Sequence, residues 1–421
     1  MRISGLGLAV PISIPRYMRA ESTLIKFTLK RSNISSANSV LPEAVGPIKK
    51  TTELFDAIVI RILSFYHRDL HYNVSFINCI SKTMFTVLNQ VSGKSFESSG
   101  KEPVLNGALS NGLNFPYGCQ NGFCGKCKAV ILNGEFEYDG EVPSVITEDE
   151  IEANMALLCQ CKAKSDLYIA VDELDALANI EVRSIPCRVE QINHLNHDVV
   201  QIILKIPGAQ SLQYLAGQYL DLEHSDFEPR AFSIANAPIN SNLIELHVRL
   251  VEDGKFTNFI FNSLAEKTIL RIEGPKGDFF LREESDKPII LIAGGTGFAP
   301  IKAIIEHLIT IKSERVVYLY WGVRDEVDLY SNLPSEWAQK SPKIQFVPVL
   351  SEANGDWQGE RGYVHESVMR DFKDLSDYEV YACGPPVMIK AAAKGCLDQG
   401  LSKKDFFSDA FEYAFESSDE K

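Results

Sequence analysis

The chain has 421 residues, 45% hydrophobic and 23% charged, with a formal net charge of −14, and is long enough for roughly two to four domains with real cores. The charge is uneven: residues 1–83 hold eleven Lys and Arg against five Asp and Glu, while residues 84–421 sum to −20. So acidic a body argues against a nucleic-acid partner and suits either plain solubility or docking to a basic protein face, and no apolar stretch is long enough to span a bilayer.

Residues 1–83 carry no cofactor motif, and their best segment, Glu53 to Leu70, is an apolar-rich helix candidate. They are expected to be a disordered extension, or to be untranslated if Met84 is the initiator. A basic organelle-targeting segment is the rival reading. At Met84 the pattern changes. Met84-Phe85-Thr86-Val87 alternates like a strand, Gly93, Gly100 and Pro103 punctuate the segment after it, and Val104, Leu105 and Ala108 share one helical face. These features predict a first domain over residues 84–178.

Within it lies the run Tyr117-Gly118-Cys119-Gln120-Asn121-Gly122-Phe123-Cys124-Gly125-Lys126-Cys127, followed by Leu157-Leu158-Cys159-Gln160-Cys161. Cys119, Cys124 and Cys127 with a later cysteine have the C-x4-C-x2-C…C spacing of a plant-type [2Fe–2S] cluster, a one-electron carrier. Gly118, Gly122 and Gly125 let the backbone fold closely around the cluster sulfurs. Cys159 is the expected fourth ligand because it follows the apolar pair that can anchor it, with Cys161 the alternative. Zinc fits less well: the second pair is C-x-C, and no histidine lies within thirty residues of the loop. The remaining cysteines are scattered, which suggests no disulfide framework and predicts a reducing, cytoplasmic setting.

From about residue 180 short β-rich runs follow one another: Val189 to Ile192, Val199 to Ile206, Tyr219 to Leu222, Leu243 to Leu250 and Ile269 to Glu273, with turns at Pro207-Gly208 and Gly274-Pro275. The rhythm predicts an antiparallel barrel over residues 180–285. Residues 286–421 read as an α/β unit with a parallel sheet. The apolar run Pro288 to Ala293 leads into Gly294-Gly295-Thr296-Gly297 and a helix over Ile301 to Ile311, and further strands are expected at Val316 to Trp321, Ile344 to Val349 and Glu379 to Cys383. A glycine loop between strand end and helix start is where a nucleotide pyrophosphate binds.

Arg230-Ala231-Phe232-Ser233 after Gly217-Gln218-Tyr219, the loop Gly294 to Pro300, and Cys383-Gly384-Pro385-Pro386 occur in the order found in the ferredoxin–NADP reductase superfamily. From Met84 to about Phe415 the chain resembles its iron–sulfur flavoprotein reductases with the ferredoxin-like β-grasp domain first. Bacterial oxygenase reductases and the reductases of CDP-6-deoxyhexose synthesis share this layout. The cysteine run and Ser408-Asp409-Ala410-Phe411 are similar to the deoxysugar group, which often has a basic residue where this chain has Gln120.

The resemblance implies FAD, with Arg230 at the cofactor phosphate and Ser233 at the ring nitrogen that takes the hydride. Phe232 stands where the family often has Tyr. Gly254 and Thr257 belong to a second phosphate-facing turn. Cys383, Gly384 and Pro385 would lie near the nicotinamide, and Phe411 would cover the flavin. Arg324 would sit at the adenosine ribose, where Asp325, Glu326 and Asp328 would repel a 2′-phosphate, so NADH is expected over NADPH. The function implied is an NAD(P)H-dependent reductase that delivers electrons to a separate protein, an oxygenase or a deoxysugar dehydrase. A free-flavin or ferric reductase and a non-catalytic redox carrier are the alternatives.

Overall fold

The computed structural model describes residues 84–410, apart from 209–210 and 240–241. The readings of residues 1–83 and of Phe411 therefore fall outside the described residues. The described part contains three sheets of five or six strands and one small two-stranded sheet.

The first sheet is mixed. It is built from β1 (Phe85–Asn89), β2 (Ser95–Ser98), β3 (Lys128–Asn133), β5 (Met155–Leu157) and β7 (Leu167–Ala170) in the order β2-β1-β7-β3-β5, while β4 (Phe136–Tyr138) pairs with β6 (Cys161–Ala163). Helix α1 (Val104–Ser110) buries Val104, Leu105 and Ala108, the face expected of it. Helix α2 (Glu148–Glu152) opens on a capping box between Thr147 and Glu150, which satisfies two end N–H groups reciprocally. The long connection between α1 and β3 carries the cysteine loop, and its two ends are pinned by a core that includes Phe115, Leu157 and Leu158.

The second sheet is antiparallel, in the order β11-β10-β13-β8-β9-β12, from β8 (Arg183–His194), β9 (Val199–Lys205), β10 (Tyr219–His224), β11 (Phe227–Ser233), β12 (Leu243–Arg249) and β13 (Ile269–Lys276). Its two edges meet at an Ile234–Leu246 bridge, beside which the Ala235 N–H donates to the Glu245 carbonyl at 2.8 Å, so the sheet curls closed. Two strands differ from expectation. β8 starts well before Val189, continuing the buried alternation Ile185, Cys187, Val189 through Pro186. β11 is not among the expected strands because Pro229 interrupts it; as an edge strand it tolerates a missing donor. Helix α3 (Lys255–Asn262) follows β12 and buries Phe256 and Ile260.

The third sheet is wholly parallel: β14 (Ile289–Gly294), β15 (Val317–Val323), β16 (Ile344–Leu350), β17 (Glu360–Arg361), β18 (Glu379–Gly384) and β19 (Phe406–Ala410) in the order β17-β16-β15-β14-β18-β19. Its central strand is buried on both faces. Ile289, Leu291 and Ala293 pack with α4 (Phe298–Thr310) and Trp337 of α5 (Leu333–Lys340), and Ile290 and Ile292 pack with α6 (Val364–Asp371) and α7 (Pro386–Asp398). Helix α4 begins at Phe298 rather than Ile301, because Pro300 sits in its first turn, where a missing N–H breaks no helical bond.

Candidate functional site

The cysteine loop folds as the spacing requires. The Cys124 N–H donates to Cys119 Sγ at 3.3 Å, the Cys119 N–H to Cys124 Sγ at 3.4 Å, and the Cys159 N–H to Cys127 Sγ at 3.4 Å. The thiols pair two and two, Cys119 with Cys124 and Cys127 with Cys159. Two dithiol pairs side by side fit a two-iron centre, each iron taking two thiolates. The Cys124 thiol lowers Cys119 to about 5 against the effect of burial, and the N–H groups of Cys124, Asn121 and Phe123 add to it. Such inward-facing donors are what an anionic cluster needs. Gly122 makes the turn at φ +97°, and a Cβ there would press on Gln160 Cγ at 3.2 Å. Cys161 instead sits in β6 opposite Tyr138, its thiol pushed up to about 12 by burial.

A cavity of about 230 Å³ lies against this loop. Gly118 and Cys119 line one side, Tyr219, Arg230, Phe232 and Ser233 of the barrel another, and Thr296, Asp409 and Ala410 of the parallel-sheet unit a third. Ser233 is 6% exposed and its Oγ is buried without a hydrogen-bond partner. A buried hydroxyl left unpaired costs free energy, so this atom, on the wall of the cavity, fits a polar ring seated there. Arg230 donates to the Pro229 carbonyl at 3.1 Å. Phe232 packs against Phe256, with ring centroids 6.4 Å apart. Gly254 and Thr257 line the cavity, but the Thr257 hydroxyl is engaged in its own turn, donating to the Gly254 carbonyl and accepting from the Val251 N–H, both at 3.2 Å. The Gly254–Thr257 turn leads directly into α3.

The glycine loop joins β14 to α4, and Thr296 turns into the cavity. A Cβ on Gly297 would lie 2.1 Å from the Cys383 carbonyl oxygen, so the third glycine is dictated by backbone approach between neighbouring segments. Gly294 ends β14 and Gly295 takes φ +54°. Cys383 pairs with Ala293 on one side and Asp409 on the other. It is fully buried and does not line the cavity, and burial keeps its thiol protonated, well above the ordinary range. Gly384 ends β18 and Pro385 caps α7. Arg324 is exposed beyond the end of β15, away from this cavity. Of the three acids expected to crowd it, Asp328 turns inward, 3.8 Å from both His197 and Arg249, leaving Asp325 and Glu326 beside it.

Several residues at the site were not anticipated. Glu245, His247 and Arg249 alternate along β12. His247 Nε2 meets Glu245 at 2.8 Å and its Nδ1 meets the Tyr330 hydroxyl at 3.1 Å, while Lys302 of α4 pairs with Glu245 at 3.0 Å. The period-two polar pattern on a strand was the available signal. Lys126, inside the cysteine loop, forms an ion pair with Asp278 just after β13. Asp409 is raised to about 6 by burial, with Asp278 and Cys119 adding and Lys126 opposing.

The chain matches the 2Fe-2S iron-sulfur cluster binding domain over residues 88–164, the oxidoreductase FAD-binding domain over 186–281 and the oxidoreductase NAD-binding domain over 291–394. It is 42% identical to the CDP-6-deoxy-L-threo-D-glycero-4-hexulose-3-dehydrase reductase of Yersinia pestis, across 76% of this chain and 96% of that one. It is 32% identical to the phenol hydroxylase P5 protein of Acinetobacter pittii, across 76% and 92%. The crystal structure of the Amycolatopsis cytochrome P450 reductase GcoB superposes with a TM-score of 0.68 at 29% identity, covering 78% of this chain and 98% of that one. With one cavity walled by cluster loop, barrel and glycine loop, the protein belongs to the iron–sulfur flavoprotein reductases of the ferredoxin–NADP reductase superfamily, which carry electrons from nicotinamide through FAD and a [2Fe–2S] cluster to a partner protein.

Proposed function

We propose that this chain takes electrons from NADH and delivers them to a dehydrase acting on a CDP-linked 6-deoxyhexulose. The observation that carries the electron path is the shared cavity, where the cluster ligand Cys119, Ser233 and Thr296 line one space. When bound, the flavin accepts a hydride from the nicotinamide and the cluster hands the electrons on one at a time. The dehydrase is favoured over an oxygenase because relatives named for that reaction reach 42% identity, against 32% for phenol hydroxylase P5.

Each site residue has a role in this reading. Cys119, Cys124, Cys127 and Cys159 hold the cluster. Ser233 Oγ donates to the flavin ring, with Phe232 packed beside it, and Arg230 and the Gly254–Thr257 turn face the flavin phosphates. The Gly294-Gly295-Thr296-Gly297 loop takes the nicotinamide pyrophosphate at the start of α4. Cys383, Gly384 and Pro385 shape the nicotinamide seat. Arg324 lies at the adenosine ribose with Asp325 and Glu326, which favours NADH by repelling a 2′-phosphate. Phe411 is the proposed flavin cover. Domain limits of 84–178, 180–285 and 286–421 and a cytoplasmic setting complete the proposal; none of the described helices is long and apolar enough to cross a membrane.

Anaerobic titration of the pure protein with NADH, and separately NADPH, tests it. Sub-saturating NADH should bleach both the flavin and the iron–sulfur bands, and adding the dehydrase with its CDP-sugar should restore them. Recovery only with an oxygenase component would replace the acceptor. Rapid reduction of free FMN beside an unreduced cluster would replace the function with that of a flavin reductase.

A further inference from the structure

The cluster loop meets the barrel through a side chain that no role above uses. Tyr219 stands in β10 directly across from Ser233 of β11, and lines the shared cavity. Its hydroxyl donates to the Gly118 carbonyl at 2.8 Å and accepts from Gln120 Nε2 at 3.2 Å. Those two residues bracket the ligand Cys119. The carbonyl belongs to the Gly118–Cys119 peptide, whose own N–H donates to Cys124 Sγ at 3.4 Å. Phenol, peptide and sulfur thus form one hydrogen-bonded line. Donation to a carbonyl polarises its peptide and strengthens the N–H at the other end. Stronger N–H donation to ligand sulfurs stabilises the extra negative charge of a reduced cluster.

The ring has little freedom to place its hydroxyl elsewhere, since a Cβ on Gly277 would already lie 2.8 Å from Tyr219 Cε1. Burial also raises the phenol well above its ordinary range, so it remains a donor. Gln120 takes φ +56°, and from there its amide reaches the tyrosine.

We propose that Tyr219 is a positioning residue for the cluster: it ties the Cys119 arm to the flavin wall and raises the cluster's reduction potential through the Gly118–Cys119 peptide. One electron leaves the reduced flavin and enters the oxidised cluster; no bond forms or breaks at Tyr219, which keeps its proton. The inference rests on the flavin-to-cluster path proposed above.

The test uses the full-length holoprotein with Tyr219→Phe and with Gln120→Asn, the latter shorter by one methylene and tolerant of left-handed backbone. Dye-mediated reductive titration, followed by the electron paramagnetic resonance of the reduced cluster, should give a lower midpoint potential in Tyr219→Phe and a smaller lowering in Gln120→Asn. In stopped-flow mixing with NADH the cluster phase should slow about fivefold more than the flavin phase in Tyr219→Phe, the order of one lost hydrogen bond. An unchanged potential with an unchanged cluster phase overturns the proposal, as does equal slowing of both phases. If Tyr219→Phe fails to assemble a cluster, the Gln120→Asn potential decides alone, and no shift there overturns it. Should NADH leave the wild-type cluster unreduced, the electron path is what fails, and the potentials, measured without NADH, still judge Tyr219.

Discussion

Glu245 is where the barrel grips the parallel-sheet unit, and its charge state can be read out as stability. Its carboxylate accepts from Gln201 Nε2 at 2.7 Å, meets His247 Nε2 at 2.8 Å and pairs with Lys302 at 3.0 Å. Lys302 also donates to the Ala235 carbonyl at 3.0 Å. Burial alone would raise this carboxyl, but His247 and then Lys302 outweigh it and hold Glu245 at about 2, below its ordinary 4.5. That gap, at about 1.36 kcal/mol for each pH unit, favours the folded ionised state by about 3 kcal/mol. Because the folded value lies below the unfolded one, the contribution is complete above pH 4.5 and is lost as pH falls toward 2. Glu245→Gln keeps the shape and loses the charge. It should cost about 3 kcal/mol at pH 7, the same at about pH 5.5, and only about 2 kcal/mol at about pH 3.5. Urea unfolding of both proteins at these pH values, followed by far-ultraviolet circular dichroism, measures the differences. A penalty under about 1 kcal/mol at pH 7, or one that does not shrink at about pH 3.5, would refute the reasoning and assign the loss to packing.

Ser233→Ala should slow flavin reduction by NADH about tenfold, the scale of one strong hydrogen bond, while leaving the apoprotein no less stable because the hydroxyl there has no partner to lose. Stopped-flow rates beside apoprotein melts check it; a weaker apoprotein with an unchanged rate would make the hydroxyl purely structural. Cys159→Ser should abolish the iron–sulfur absorption and Cys161→Ser should keep it, since the Cys159 thiol pairs with that of Cys127 while Cys161 sits in β6 opposite Tyr138; a bleached Cys161→Ser protein would exchange the assignment. Gly297→Ala places a methyl 2.1 Å from the Cys383 carbonyl oxygen, a backbone atom that cannot rotate away, and should lower unfolding free energy by about 3 kcal/mol in denaturant titration. A neutral result would show that the two segments can part.

Much of this arrangement is legible in the amino-acid order. Cysteine spacing, the apolar run of β14 and the helical face of α1 are local patterns, and each folds as it reads. The strands of the barrel lie where turn residues separate β-rich runs, except β11, where Pro229 and charged neighbours mask a strand whose Arg230 and Ser233 line the cavity. The illegible part is whatever joins distant segments. Lys126 and Asp278 are 152 residues apart, and neither position signals a partner. Lys302 looks like an ordinary surface residue of α4 paired with Glu306 one turn on, yet it is 5% exposed and also pairs with Glu245 of β12, a partner its own segment does not signal. Asp328 reads as one acid among three beside Arg324, and only its capping turn carries it inward.

The bridge that closes the barrel has a thermodynamic consequence for the living cell. Ile234 and Leu246 make that bridge; Ser233 immediately precedes one of them, and Glu245 and His247 flank the other. Ser233 and His247, neighbours of the seam, also line the cavity, so a ligand seated there would be coupled to the closed seam. Cofactor at about a hundred times its dissociation constant would add about 2.7 kcal/mol to the folded state. Vitamin supply would then set how much of the protein survives proteolysis as well as how fast each copy works.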